Sequence, residues 1–337
     1  MTMEIKSPYL LFLGSAPDAL AAKTSIGVAQ WRPEKCVGQL RLKGCNADSG
    51  FPDMSVKQAV AKGAKTMIVG TVNRGGVISK DWIKVLTAAL DAGLDLASGL
   101  HNKLSDVPEL AAAAKRNGRK LHDVRHPDRE FPIATGLKRP GKRVLTVGTD
   151  CSIGKMYTSL ALEAAMKSLG MKATFRATGQ TGILIAGRGW SIDAIVSDFV
   201  AGAVETIAPA NDPDHWDVVE GQGSLFHASY AGVTMALIHG AQADALVMCH
   251  EPGRPHMRGL PHYKLPDLQT CIDVNVAHAR LTNKKAKCVG ISLNTSKMTA
   301  KAAERAIKST ADKYGLPCVD PSRTGVAAIA AQLAKIK

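Results

Sequence analysis

The chain is poor in aromatics: Phe, Tyr and Trp make up only 4% of its 337 residues. That excludes an aromatic platform for stacking single-stranded nucleic acid and leaves the bulk of any core to Ala, Val, Leu and Ile. Cysteine is sparse and odd in number. Cys36, Cys45, Cys151, Cys249, Cys271, Cys288 and Cys318 are spread out and none forms CxxC. A disulfide framework and a structural zinc site are thereby excluded, and free thiols in a reducing compartment fit. Long apolar runs are missing too, since no stretch approaches the ~20 residues of a membrane span. Tyr9-Leu-Leu-Phe-Leu13 falls short of the apolar core of a signal peptide, roughly 7–15 residues, and Gly-Ser-Ala-Pro-Asp follows at once. It reads as a buried first strand, and the expectation is a cytoplasmic protein without a membrane partner.

Acidic residues are in deficit. Asp and Glu number 29 against 43 Lys and Arg, a formal net charge of +14. Such a balance implies anionic partners without saying which. Nucleic acid calls for a dense basic stripe, whereas here the basic residues are scattered, with one short cluster, Lys138-Arg139-Pro140-Gly141-Lys142-Arg143. Phosphorylated cofactors and carboxylate substrates fit better. What is present is ordinary for a folded chain: 45% hydrophobic and 21% charged residues. The length suggests about two domains.

Strand-like runs alternate with helix-like ones. Tyr9–Leu13, Lys65–Val69, Leu94–Ala97 and Lys120–Val124 read as strands, and Lys80–Ala92 and Val107–Arg116 as helices. Residues 125–143, with three prolines, two glycines and many charges, break the pattern. Alternation then resumes, with strands at Val144–Val147, Met171–Arg176, Trp216–Val219, Ala245–Cys249, Lys287–Leu293 and Pro317–Val319. Helices are expected between them, among them Lys155–Leu169, Asp193–Ile207, Ala231–Ala241, Asp267–Leu281 and Thr299–Tyr314. The pattern predicts α/β architecture with a mainly parallel sheet in each half. The divisions expected are a domain over 1–125, a linker over 126–142 and a second domain over 143–337.

The sharpest motif is Gly148-Thr-Asp-Cys-Ser-Ile-Gly-Lys-Met156, between a strand and a helix. Such a loop turns successive backbone N–H groups toward phosphate oxygens, and the helix N-terminus adds about half a positive charge. Thr149, Asp150, Cys151, Ser152, Ile153, Gly154, Lys155 and Met156 are therefore the expected cofactor-binding residues. The P-loop template departs at two points: Thr149 occupies the first glycine's place, and Met156 replaces the hydroxyl residue after the lysine. That hydroxyl ligates Mg²⁺ in P-loop nucleotidases, and a thioether is too soft for the task. A phosphorylated ligand that needs no metal, such as coenzyme A, suits the loop.

Here the chain resembles known families. Gly148-Thr-Asp-Cys-Ser-Ile-Gly-Lys155 is similar to the phosphate loop of dethiobiotin synthetases. Val218-Val-Glu-Gly-Gln-Gly223 is similar to their strand end bearing a metal-holding glutamate, and Val289-Gly-Ile-Ser-Leu-Asn294 to the strand that ends in an adenine-contacting asparagine. The likeness covers about residues 143–335. The whole chain more closely resembles D-glutamate N-acetyltransferases, whose loop also carries methionine after the lysine. That resemblance implies a Rossmann-like N-terminal domain, a P-loop C-terminal domain, acetyl-CoA as co-substrate, and D-glutamate or another acidic amino acid as acceptor. It adds Asn294 to the cofactor-binding residues.

Glu220, at a strand end, is the first candidate base or ammonium holder, with no metal expected. Asp198 and His227 are secondary catalytic candidates. The segment His250–Lys264 is dense in Arg, His and Lys, and Arg254 and Arg258 suit a dicarboxylate. Gln180, in the loop after Arg176, and Lys23 complete the substrate-binding candidates. Gly14, Gly70–Gly76 and Gly99–Lys103 also follow strand-like runs and would line a pocket between the domains. Their glycines do not spell a dinucleotide fingerprint. Cys151, at a helix N-terminus, would have a lowered pKa, which keeps an acyl-cysteine route open. Three functions compete: acetyl transfer by a homo-oligomeric enzyme, a Mg-ATP ligase or kinase of the dethiobiotin synthetase type, and a non-catalytic nucleotide sensor.

Overall fold

The computed structural model of the chain describes residues 4–71 and 78–336. The candidate stretch Gly70–Gly76 falls largely outside them. The chain divides into two compact units, one of 1–129 plus 179–194, the other of 130–178 plus 195–337.

The first unit is built on a parallel sheet of β1 (Tyr9–Gly14), β2 (Cys36–Arg41), β3 (Thr66–Val69), β4 (Asp95–Ser98) and β5 (Leu121–Asp123), in the order β2-β1-β3-β4-β5. Strands β1, β3 and β4 are buried along their whole length, which is why β1 and β3 read as near-continuous apolar runs rather than alternating ones. Leu10, Phe12, Met67 and Leu96 pack under Trp82, Leu86 and Leu90 of the helix Lys80–Asp91. Strand β2 and the helices Lys23–Trp31 and Val56–Ala61 were not apparent from apolar patterning. Strand β2 buries Gly38 and Gln39 at its middle, neither of which is an apolar signal.

The second unit holds β6 (Lys142–Gly148), β7 (Ala173–Arg176), β8 (Trp216–Val219), β9 (Ala245–His250), a hairpin of β10 (His256–Met257) and β11 (Leu260–Lys264), β12 (Lys287–Leu293) and β13 (Cys318–Val319). Its main sheet runs β13-β12-β9-β6-β8-β7, with all neighbouring pairs parallel. Strand β6 sits centrally, and its registers Leu145↔Val219 and Gly148↔Cys249 bring the ends of β8 and β9 beside the loop that follows it.

Two segments depart from the expected division. The stretch expected to be a linker is bound to the second unit from Glu130 onward. Arg139 donates to the carbonyls of Ala208 and Gly240 at 2.9 and 2.7 Å. Arg143, 0% exposed, donates to those of Pro140 and Pro209 and faces Asp217 at 3.8 Å. The basic cluster is thus engaged inside its own unit. The stretch Gly179–Ala194 goes the other way and joins the first unit. Its helix Gln180–Ala186 packs on the helix Lys23–Trp31, with Ile185 Cδ1 about 3.5 Å from where a Cβ on Gly27 would stand.

Candidate active site

The loop from Gly148 to Lys155 enters the helix Lys155–Ser168 through a left-handed turn. Ser152 has φ 53° and Gly154 φ 102°. Ser152 is a non-glycine residue in a region such residues seldom adopt, and the alternation of hands is the geometry of an anion-cradling nest. Lys155 is 6% exposed, and its Nζ donates to the Asp150 carbonyl at 2.7 Å. Burial pushes its pKa down. Close packing holds it there. A Cβ on Gly221 would stand 1.8 Å from the Thr146 carbonyl oxygen and 2.9 Å from Lys155 Cδ, and the Gly221 N–H donates to Thr146 Oγ1 at 2.9 Å.

Asp150 is fully buried and is the hub of the loop. Its Oδ1 accepts from Cys151 N–H at 2.7 Å, and its Oδ2 from Arg258 N–H at 2.9 Å and Arg254 Nη1 at 2.5 Å. Arg254 Nη1 also donates to the Cys151 carbonyl at 2.9 Å, and Nη2 to the Ser152 carbonyl at 3.2 Å and to Glu251. Lys297 donates to the other oxygen of Glu251 at 2.7 Å. Arg254, expected to hold substrate, therefore has its Nη groups engaged in clamping the phosphate loop. Arg258 differs: its backbone bonds the hub, and the residue is exposed.

His227 is 2% exposed. Ser229 N–H donates to its Nδ1 at 3.2 Å, so Nδ1 is an acceptor, and in the neutral ring Nε2 donates to the Arg258 carbonyl at 3.0 Å. Both ring nitrogens of this catalytic candidate are engaged by main chain. Asp198 is exposed in the first turn of the helix Ser197–Ile207. The helix begins after a separate short turn at Ile192–Ala194, and favourable placement against the helix dipole accounts for a carboxylate there.

Glu220, 3% exposed, follows β8 directly. Its Oε2 accepts from Thr178 N–H at 2.9 Å, and its carbonyl from Thr178 Oγ1 at 2.7 Å. Asn294 directly follows β12, and its N–H donates to the His250 carbonyl at 2.8 Å. Its Cβ stands 4.0 Å from where a Cβ on Gly154 would be, so it borders the loop. Thr149 Oγ1 lies 3.0 Å from His250 Nδ1. Gln180 and Lys23 belong to the first unit, where they line one small cavity together.

Cys151 departs from expectation. Burial pushes its thiol pKa up, against the opposing pull of Lys155, a direction that works against an acyl-cysteine route. Asp150, Cys151 and His227 do offer donor atoms within 4.8 Å of one another. Asp150 already accepts from a guanidinium and two amides, and His227 has both nitrogens bonded, so this donor set fits a hydrogen-bonded cluster better than a cation site. Thr158, two residues beyond Met156, cannot replace the missing hydroxyl. Its Oγ1 is held by Ser292 Oγ at 2.8 Å and the Gly154 carbonyl at 3.0 Å.

Two family models match the chain: residues 40–127 match a domain of unknown function described as a Rossmann-like domain (DUF1611_N), and residues 132–330 one described as a P-loop domain (DUF1611_C). A protein of Tritonibacter scottomollicae named D-glutamate N-acetyltransferase is 56% identical over 98% of this chain and 100% of its own length. The chain belongs to the D-glutamate N-acetyltransferase family. A second member, from a Pseudoalteromonas species, is 47% identical over 98% of this chain and 100% of its own. A crystal structure of a DUF1611 family protein from Anabaena variabilis ATCC 29413 superposes with a TM-score of 0.82 at 32% identity, covering 98% of this chain and all of that one. The expected fold class, a Rossmann-like domain followed by a P-loop domain, stands. Membership favours acyl transfer over the Mg-ATP ligase or kinase alternative. Among the described residues no helix is long and apolar enough to cross a membrane.

Proposed function

We propose that this protein transfers the acetyl group of acetyl-CoA to the amine of D-glutamate. The observation that carries the reading is full-length identity of 56% and 47% to two proteins named for that reaction. The phosphate loop supports it independently. A nest of backbone N–H groups, a helix N-terminus and the buried Lys155 together suit the phosphates of coenzyme A. Met156 in place of a hydroxyl residue suits a ligand held without Mg²⁺. Asn294, bordering Gly154, suits the adenine side of that ligand.

In this reading Glu220 accepts the ammonium proton. The freed amine attacks the thioester carbonyl to form a C–N bond. The tetrahedral intermediate then collapses, the C–S bond breaks, and coenzyme A leaves as a thiol once protonated. An α-amino group of pKa ~8 is about one-tenth neutral at pH 7, a cost of roughly 1.4 kcal/mol. Alignment of amine and thioester contributes more, up to roughly 7–11 kcal/mol in favourable cases. Arg258, exposed beside the hub, is the side chain best placed in this unit to meet a substrate carboxylate.

The test is thiol release from acetyl-CoA with D-glutamate, without ATP, with the product identified by mass spectrometry. Lys155→Ala should weaken acetyl-CoA binding by tenfold or more. Glu220→Gln should lower kcat while acetyl-CoA affinity holds. No thiol above background from the wild type would reject the reading.

A further inference from the structure

His250 is the last residue of β9, the strand that flanks β6 opposite β8. Open parallel sheets receive ligands beyond the strand carboxyl ends, where the chain order turns from one side to the other, and β6 is that place in this sheet. His250 is half-buried and held from two directions. Its carbonyl accepts from Asn294 N–H at 2.8 Å, and its Nδ1 lies 3.0 Å from Thr149 Oγ1. The same threonine opens the phosphate loop.

The bonding decides which ring nitrogen carries the hydrogen. Thr149 is 0% exposed, and among the described residues its hydroxyl meets no acceptor besides His250 Nδ1. A hydroxyl has one hydrogen to place, so Thr149 donates and Nδ1 accepts. Burial holds the pKa of the ring below its ordinary 6.5, with Glu251 raising it and Arg254 lowering it. The ring is therefore neutral near pH 7, and Nε2 bears the hydrogen. Among the described residues that Nε2–H has no protein acceptor. Unlike Nε2 of His122, His215 and His239, it is not an unbonded atom sealed in the interior. The loop beside it has the same surplus of donors. The backbone N–H groups of Ser152, Ile153, Gly154, Lys155 and Met156 donate to no protein acceptor among the described residues. Buried or half-buried donors left open together are expected where an anion completes them.

We propose that His250 is a ligand-binding residue of the phosphate loop, its Nε2–H donating to a phosphate oxygen of the molecule that the loop holds. A bond from a neutral donor to an ionised oxygen is stronger than one between neutral groups. It fixes the direction of the phosphate without adding a charge beside Lys155 and Arg254. That the phosphate belongs to coenzyme A rests on the acetyl-transfer reading; the donor does not.

The test uses the full chain, with calorimetric titrations of coenzyme A and inorganic pyrophosphate and proton–nitrogen NMR correlation of the histidine side chains. An asparagine amide overlays Nδ1 of an imidazole, and a glutamine amide overlays Nε2. His250→Asn keeps a partner for Thr149 and loses the outward donor, so it should weaken both ligands about tenfold or more, the scale of one hydrogen bond to a charged group. His250→Gln keeps the outward donor and should stay within about threefold of wild type. A role confined to holding Thr149 gives the reverse order and overturns the proposal. The imidazole signals missing from both variants should show Nδ1 bare and Nε2 protonated in the wild type, with Nε2–H moving on addition of either ligand. A hydrogen on Nδ1 instead, or an Nε2–H unmoved by a ligand that binds, rejects the role. If coenzyme A binds wild type and His250→Asn alike, the role of His250 falls and the acetyl-transfer reading stands. If pyrophosphate binds with glutamine above asparagine while coenzyme A does not bind, that reading falls and the role of His250 stands.

Discussion

Two sheet ends in this molecule carry dense positive charge and treat it differently. At the end of β6, Arg254, Lys155 and Lys297 bond to Asp150, Glu251 and loop carbonyls. At the carboxyl ends of β3 and β4, Lys23 and His101 are exposed and Arg125 pairs only with the partly exposed Asp193 at 3.4 Å, around a small cavity. The contrast separates two uses of a cation. A paired buried cation fixes backbone geometry, because removing it strands the carboxylates it serves. An exposed cation such as Lys23 stays solvated and leaves the backbone geometry to other contacts. Sequence alone placed both Arg254 and Lys23 among the substrate-binding candidates; burial and partners divide them.

The largest effect that would test this division is at Arg254. Arg254→Met leaves Asp150 and Glu251 without their guanidinium and should cost about 3–5 kcal/mol of stability, along with acetyl-CoA binding. Chemical denaturation measures it. Full stability with a change only in KM for the amino acid would return Arg254 to the substrate. Lys23→Met should instead stay within about 0.5 kcal/mol of wild type, as for a surface substitution.

Arg258→Ala should have an intermediate effect. The bonds to Asp150 and His227 come from its backbone, so the loop should keep its shape. KM for D-glutamate should rise roughly tenfold, the scale of one charge-assisted contact, with acetyl-CoA affinity constant. A fall in acetyl-CoA affinity would place Arg258 with the phosphates.

The smallest effect concerns acid. Burial raises the pKa of Glu251, but the bonds from Lys297 and Arg254 outweigh it, and the carboxyl is held below its ordinary 4.5. A carboxyl lowered in the folded state contributes stability that is complete above its unfolded pKa and is lost as pH falls through the folded one. The thermal midpoint should therefore drop below pH 4.5, and less steeply in Glu251→Gln. Equal acid slopes would show that the clamp is not a charged pair.

Much of the fold was legible in the chain. Buried parallel strands such as Tyr9–Gly14 and Ala245–His250 are apolar over nearly their whole length, and that pattern survives in one dimension. The phosphate loop was legible because strand, glycine, lysine and helix are contiguous. The helix Gln180–Ala186 was not, since its stretch opens on Gly-Gln-Thr-Gly and its burial comes from a helix some 150 residues earlier in the chain. The surroundings of His227 and Cys151 were not legible for a related reason. One has its Nε2 met by the Arg258 carbonyl, 31 residues on, and the other has its thiol pKa raised by burial, neither of which is written in neighbouring residues.

The sequence by itself determined the alternation of strand and helix, the phosphate loop with its methionine, and the excess of positive charge, because each depends on residues adjacent in the chain. The tertiary structure alone decided which charges are engaged and which unit holds 179–194. Hydrogen bonding and desolvation act through space, and Arg254 meets Asp150 only after more than a hundred intervening residues have folded between them.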